Sequence, residues 1–255
     1  MEPMTTSRAI TRYENGTRVG VQDDVLTEYV LSICLDGVLL VKLICVPELL
    51  EELVLGYLYS DGIVSSADDV ESIMIEGPVA NVIVRKSAAD KNLAEGSGVL
   101  VTESGDFIGV PYILNQLGHG VIVNAPEWTP ETIMANAKLL LEKSRLFIKT
   151  GNVHSVMICR GDDLLYFCED IGRYNAFDKC VGSALKDKTD LSGTCVYTTG
   201  RIPSSMALKT LRAGIPMIVS RSAPTDATLA IAAAHGLTVI GFARANKFNL
   251  YEPTK

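Results

Sequence analysis

The sequence predicts an α/β protein, with a β-rich N-terminal part over residues 1–128 followed by an α/β part over residues 129–255. Three observations predict it. From Thr194 onward, short apolar strand-like runs alternate with helical stretches of about ten residues, the pattern of a parallel α/β unit. Before that, Asp36-Gly37 and Gly77-Pro78 each separate two apolar runs, as hairpin turns do. The 255 residues are 47% hydrophobic and 21% charged, enough for a sizeable core and ordinary for a globular protein.

Taken in order, the first dozen residues read as a loose tail. Tyr29 to Leu35 and Val38 to Val46 form a hairpin around Asp36-Gly37. Pro47 opens a helix in which Leu49, Leu50, Leu53, Val54, Tyr57 and Leu58 recur at helical spacing, and Gly62 ends it. Glu71 to Glu76 and Val79 to Arg85 form a second hairpin. The stretch from about Lys86 to Gly120, rich in Gly, Ser, Asn and Asp, is expected to be a mobile loop.

Thr129-Pro130-Glu131 is a helix start with a capping hydroxyl and a proline in the first turn, and the helix is expected to reach about Phe147. A hairpin follows across Gly161-Asp162, then a helix from Arg173 to about Leu185. Strands at Thr194–Thr198, Pro216–Ser220 and Thr238–Phe242 alternate with helices at Ser205–Ala213 and Thr225–His235.

The formal net charge of -7 argues against a uniformly basic nucleic-acid surface, while leaving room for a local basic pocket. The apolar region Tyr29 to Val46 is broken by Asp36, Gly37 and Lys42, so it reads as two strands and not as a membrane span. With no basic-then-apolar leader pattern, the expected location is cytoplasmic. The six cysteines, Cys34, Cys45, Cys159, Cys168, Cys180 and Cys195, include no pair at redox or zinc-knuckle spacing, and read mainly as small buried hydrophobes.

Ligands of open parallel α/β sheets bind beyond the carboxyl ends of the strands. Here those ends run into Thr199-Gly200-Arg201-Ile202-Pro203-Ser204-Ser205, Ser220-Arg221-Ser222-Ala223-Pro224-Thr225 and Ala243-Arg244-Ala245-Asn246-Lys247. Each delivers an arginine, and two deliver hydroxyls at a helix N-terminus. Free backbone N–H groups, a partial positive charge and the guanidinium fork all suit an anion, above all a phosphate. Gly200 lets the backbone approach closely. Any one of these arginines alone reads as a solvated loop residue. Three at equivalent positions in an acidic chain read as an anion site.

A second cluster, Glu169 to Lys179, lies where a strand hands over to a helix. Asp170 is read there as a cap, and Arg173, Asn175 and Lys179 either as ligand contacts or as structural residues. His154 with Cys159 lacks the second pair that a metal site needs, so no metal is expected. His119 and His235 have no identifiable partners, and no catalytic triad or phosphate-loop signature is present.

Three segments resemble the formate dehydrogenase accessory sulfurtransferase (FdhD) family. "TGNVHSVMICRGDDLLYFCEDIGRYNAFDK" is similar to the family's segment ending "EDVGRHNAVDK". "TTGRIPSSMALKTLRAGIPMIVSRSAPTDATLAIAAAHGLTVIGFARANKFNLY" is similar to its C-terminal half, and "VPELLEELVLGYLYSDGIVSSADDV" to its N-terminal helix. The resemblance spans nearly the whole chain. It implies a C-terminal half like the cytidine deaminase fold, without the His/Cys zinc signature of that chemistry. It implies sulfur transfer from a cysteine desulfurase to the bis-molybdopterin guanine dinucleotide molybdenum cofactor, on its way to apo formate dehydrogenase. It also implies a guanine-nucleotide pocket that GDP would mimic, with Phe242, Ala243, Arg244, Ala245, Asn246 and Lys247 matching the family's cofactor-binding stretch. Dimerisation is a further implication, with the apolar N-terminal hairpin as a candidate interface.

Two departures stand out. The resemblance implies two cysteines in the loop before the central helix, one of them holding a persulfide, yet residues 86–120 contain no cysteine. A persulfide needs an accessible thiolate. Cys168 is the nearest alternative, and its neighbours Glu169 and Asp170 disfavour the thiolate form. Tyr174 stands where the family has histidine. Three readings follow: a sulfurtransferase using another thiol, a non-catalytic cofactor chaperone, and a guanine-nucleotide-binding regulator. The cysteine-free loop favours the chaperone.

Overall fold

The structure is a computed structural model that describes residues 3–85 and 121–251; the loop expected over 86–120 lies outside the described residues. The described residues form three sheets. The first is a ribbon of β1 (Thr5–Glu14) and β2 (Thr17–Leu26). The expected loose tail is therefore ordered as a strand. Its turn is Asn15-Gly16, both at positive φ (49° and 80°), the conformation that tight hairpins demand. Leu26 anchors the ribbon's base against Val46 and Val153.

The second sheet has the order β4-β3-β6-β5, from β3 (Tyr29–Leu35), β4 (Val38–Cys45), β5 (Val70–Glu76) and β6 (Val79–Val84). Both predicted hairpins form, and β3 and β6 pair in parallel at the centre. Leu31, Ile33, Ala80 and Val82 turn one face toward Leu53, Val54 and Leu58 of helix α1 (Leu50–Ser60). That helix begins three residues later than Pro47 suggests, because Leu49 takes a left-handed turn (φ 53°) before it. Gly62 ends the segment at φ 77°.

The third sheet holds the C-terminal part, in the order β12-β11-β10-β9-β7-β8. Its strands are β7 (His154–Arg160), β8 (Asp163–Asp170), β9 (Cys195–Thr198), β10 (Met217–Ser220), β11 (Thr238–Arg244) and β12 (Lys247–Tyr251). The three predicted strands, β9, β10 and β11, are parallel. Antiparallel strands flank them, so the sheet is mixed. Helix α2 (Pro130–Lys143) covers one face, with Ile133, Ala137 and Leu140 on Met157, Tyr197 and Ile240. Thr129 caps it as expected. It stops before Phe147 because the Ser144 backbone leaves the helical region and its hydroxyl turns back to donate to Leu140 O (2.6 Å), after which α3 (Arg145–Thr150) begins. Helices α4 (Arg173–Lys186), α5 (Ser204–Arg212) and α6 (Asp226–His235) cover the other face.

Helices α1 and α4 join the two halves at backbone contact distance. A Cβ on Gly56 would lie 1.8 Å from Asp178 O, and one on Gly182 would lie 1.9 Å from Glu52 O. Each glycine faces the other helix's main chain, so no other residue fits at either position without moving a helix. Charged groups sealed into this layer are paired. Asp170 meets Lys179 at 2.6 Å, and Lys209 lies 2.6 Å from Asp61 and 3.1 Å from Asp178. No helix among the described residues is long and apolar enough to cross a membrane.

Candidate functional site

Five strand ends converge on one edge of the six-stranded sheet. The start of β7 pairs with the end of β8 at His154 and Asp170. The carboxyl ends of β9, β10 and β11 lie beside them, and α4, α5 and α6 begin just beyond β8, β9 and β10. Main-chain bonds stitch this edge into one surface. Thr199 N donates to Ser155 O (3.0 Å), Arg221 N to Thr198 O (3.0 Å), Ile202 N to Ala223 O (3.0 Å) and Phe242 N to Ser222 O (2.9 Å).

Short hydroxyl side chains fix the turns locally. Thr198 Oγ1 accepts from Gly200 N (3.1 Å), and Ser220 Oγ donates to Gly200 O (2.5 Å) while accepting from Ser222 N (2.8 Å). Local loops of this kind suit Ser and Thr, whose side chains reach the backbone two residues on.

The rim carries four arginines in two groups. Arg201 is exposed, near His154. Burial, and then the Arg201 cation, hold the His154 imidazole below its ordinary value, so it is neutral at pH 7. Thr199 Oγ1 ties the two strands together, accepting from Ser155 N at 3.0 Å with His154 Nδ1 at 3.4 Å. Arg173, in the first turn of α4, lies across Gly200: a Cβ there would stand 2.8 Å from Arg173 Cδ and 2.9 Å from its Cβ. Its guanidinium sits 4.9 Å from the centre of the Tyr174 ring, and the Tyr174 hydroxyl bonds the hydroxyl of Ser205 in the first turn of α5.

In the second group, Arg244 donates to the carbonyls of Arg221 (2.6 Å) and Ala243 (2.8 Å). Burial, and then the neighbouring Arg244 cation, push Arg221 below its usual value. Two like charges are therefore held together with no carboxylate bonded to either of these side chains among the described residues, an arrangement that an anion would relieve. Phe242 stands beside them, exposed, at φ 53° in a bulge of β11. A bulge re-aims a side chain in this way.

The structure thus brings Gly200, Arg201, Ser204, Ser205, Arg173, Arg221, Ser222, Phe242 and Arg244 to one rim. The first turn of α5 has no side-chain cap, since Pro203 precedes it. Other predicted residues sit differently. Thr225 caps α6, its Oγ1 accepting from Thr228 N. Ala243 is buried in the core under α2, 1% exposed. Ala245 and Asn246 form the exposed turn into β12, which Lys247 opens. Asn175 is buried, with its amide nitrogen bonded to Ile44 O (2.8 Å) and Asp170 Oδ1 (2.9 Å), so it holds the wall of the site from inside. Thr199, Tyr174 and His154 belong to the rim but were not among the predicted ligand contacts. Only the register between β7 and β9 shows that His154 and Arg201 are neighbours.

The cysteines lie elsewhere. Cys168 is 5% exposed in the core under α4, beside Cys180. Burial pushes the Cys45 and Cys159 thiols up to about 12, and raises Cys180 and Cys195 as well. Cys34, on β3, is half-buried.

Two clefts of about 530 and 550 Å³ lie away from this rim. The first is beside the start of α2, around Trp128 and Thr132; the second lies between Leu49, Arg145 and Glu169. In the second, Lys149 is paired with Asp24, and Glu169 accepts from the N–H groups of Leu146 and Phe147. None of the four rim arginines lines either cleft.

Comparison with known proteins places the chain in a family. Residues 26–255 match the model of the FdhD/NarQ family. The chain is 32% identical over 250 residues to the sulfur carrier protein FdhD of Bacillus licheniformis, covering 97% of this chain and 95% of that one. It is 31% identical to the protein of the same name from Bacillus subtilis, over 98% and 96% of the two chains. In fold it is similar to the crystal structure of a protein assigned as a formate dehydrogenase accessory protein from Desulfotalea psychrophila. The TM-score is 0.78 at 24% identity, over 98% of this chain and 97% of that one.

Proposed function

Because the chain belongs to the FdhD/NarQ family, we propose that it serves formate dehydrogenase maturation by holding the guanine-dinucleotide form of the molybdenum cofactor through its phosphates. One observation carries the reading: Arg173, Arg201, Arg221 and Arg244 stand on one edge of one sheet in a chain of net charge -7. The donor set suits a diphosphate, with guanidinium forks, serine hydroxyls and uncapped helix N–H groups. Phe242 offers a ring on which a base can stack. The cofactor is cargo here. The chain's own residues bind and orient it, and its release to an apo formate dehydrogenase in the cytoplasm completes the role. The reading is compatible with a C-terminal half that resembles the cytidine deaminase fold without implying deaminase chemistry.

Isothermal titration with GDP tests the proposal. Saturable binding is expected, with Arg201→Ala and Arg244→Ala each weakening it at least about tenfold, the size of a lost charged hydrogen bond. Unchanged affinity in both variants would remove the rim from the site.

A second reading keeps sulfur carriage, which the relatives' name states of them. Against it stand the burial of five of the six thiols and the absence of cysteine from residues 86–120. Incubation with a cysteine desulfurase and free cysteine, followed by mass spectrometry, separates the two. The cofactor-holding reading expects no stoichiometric persulfide on any cysteine.

A further inference from the structure

Tyr174 and Ser205 join two helices across the mouth of the rim. Tyr174 lies in the first turn of α4 beside Arg173, and Ser205 in the first turn of α5. Their hydroxyls are bonded to each other, and Ser205 is exposed. The same tyrosine ring lies 4.9 Å from the Arg173 guanidinium, whose stem is confined by Gly200. One aromatic side chain therefore fixes both a cation and a hydroxyl of the rim.

The direction of the hydroxyl pair follows from the ligand. A phosphate at neutral pH offers mainly acceptors, so a serine that binds it must donate its only proton. Ser205 Oγ is then left as an acceptor, and the Tyr174 phenol is the donor that fills it. Donation into a hydroxyl polarises it and strengthens its own outgoing bond. We propose that Tyr174 is a positioning residue of the anion site, donating to Ser205 so that Ser205 donates to a nucleotide phosphate, with Arg173 held alongside by the same ring. The inference rests on the reading of the rim as a nucleotide-phosphate site.

The test is a double-mutant cycle on the full chain, read by isothermal titration with GDP and with guanosine. Tyr174→Phe keeps the ring over Arg173 and removes only the donor, so GDP affinity is expected to fall about fivefold, as for one lost hydrogen bond. Ser205→Ala is expected to lose at least as much, and Ser205→Thr, which keeps the hydroxyl, to recover most of it. The Tyr174→Phe/Ser205→Ala double variant should bind no worse than Ser205→Ala alone, because the tyrosine acts through the serine. Guanosine, which has no phosphate, should bind wild type and Tyr174→Phe equally. Multiplicative losses in the double variant overturn the proposal, as does an equal loss for guanosine. If Arg201→Ala weakens GDP binding while Tyr174→Phe does not, the rim stands and the role of Tyr174 falls. If wild type does not bind GDP, both fall.

Discussion

Asp170 shows how one side chain can organise the approach to a site. It has no exposed surface, and its carboxylate accepts from Gly172 N (3.1 Å), Asn175 Nδ2 (2.9 Å) and Val46 N (3.0 Å), with the Lys179 ammonium at 2.6 Å. Removing it strands a buried cation. Asp170→Ala should therefore cost about 3–5 kcal/mol in urea unfolding, and a loss below 1 kcal/mol would mean that the network is not closed in solution. The sequence marked Asp170 as a cap and left Asn175 and Lys179 open between ligand and structure. Their fixed partners, Ile44 O and Val46 O, come from the far end of the N-terminal hairpin. Local spacing carries no sign of so distant a contact. His154 was equally opaque. Its folded pKa lies below the unfolded value because of burial and then Arg201. The unfolded chain thus binds the extra proton, and His154's contribution is full above about pH 6.5 and falls as pH drops toward the folded value. Arg201→Ala should raise the imidazole pKa in an NMR titration. An unchanged value would separate His154 from the rim.

At the scale of elements, the joint between α1 and α4 sets the tolerance of the fold. Gly56→Ala places a methyl 1.8 Å from a carbonyl oxygen of the other helix, so the pair must separate. Overpacking of this kind is expected to cost about 2 kcal/mol or more. Gly20→Ala, in the exposed ribbon with nothing within 4 Å, serves as the control and should leave the urea midpoint within error of wild type. Equal effects of the two substitutions would contradict the close crossing. Element by element, legibility followed the strength of local chemistry. Thr129-Pro130 and the Asp36-Gly37 turn gave helix and hairpin where expected. Asn15-Gly16 carried the same turn signal, but its flanking strands are mostly exposed and polar, so no apolar alternation announced them. The break at Ser144 was invisible because the apolar spacing runs on through Leu146 and Phe147. The cause is tertiary: Ser144 Oγ meets Ser155 Oγ of β7 at 2.7 Å, pinning the chain where it turns.

For the molecule as a whole, α4 touches both the rim and the N-terminal sheet, and the two are expected to be coupled through it. That helix presents Arg173 at the rim, and its buried Asn175 and Lys179 hold the carbonyls of Ile44 at the end of β4 and Val46 just beyond it. The grouping of arginines was legible at the ends of the parallel strands, where topology alone places Arg201, Arg221 and Arg244. Arg173 and Tyr174 needed the packing of α4 against Gly200 to be placed. A ligand that binds only the folded state stabilises it by about 2.7 kcal/mol at a hundred times its Kd. For a chain of this length, that is a rise in Tm of roughly 5–10 °C. GDP is expected to produce that shift, and the Arg201→Ala/Arg221→Ala/Arg244→Ala variant to lose it. The coupling makes a sharper demand on hydrogen exchange. Amides in the first turns of α4 and in residues 44–50 should exchange more slowly with GDP bound, because opening either segment loosens Arg173. The β1–β2 ribbon, held to the body mainly at its base, should not respond. Protection confined to β9, β10 and β11 would show that the rim acts alone and that the buried Asp170–Lys179 pair is structural without being coupled to the ligand.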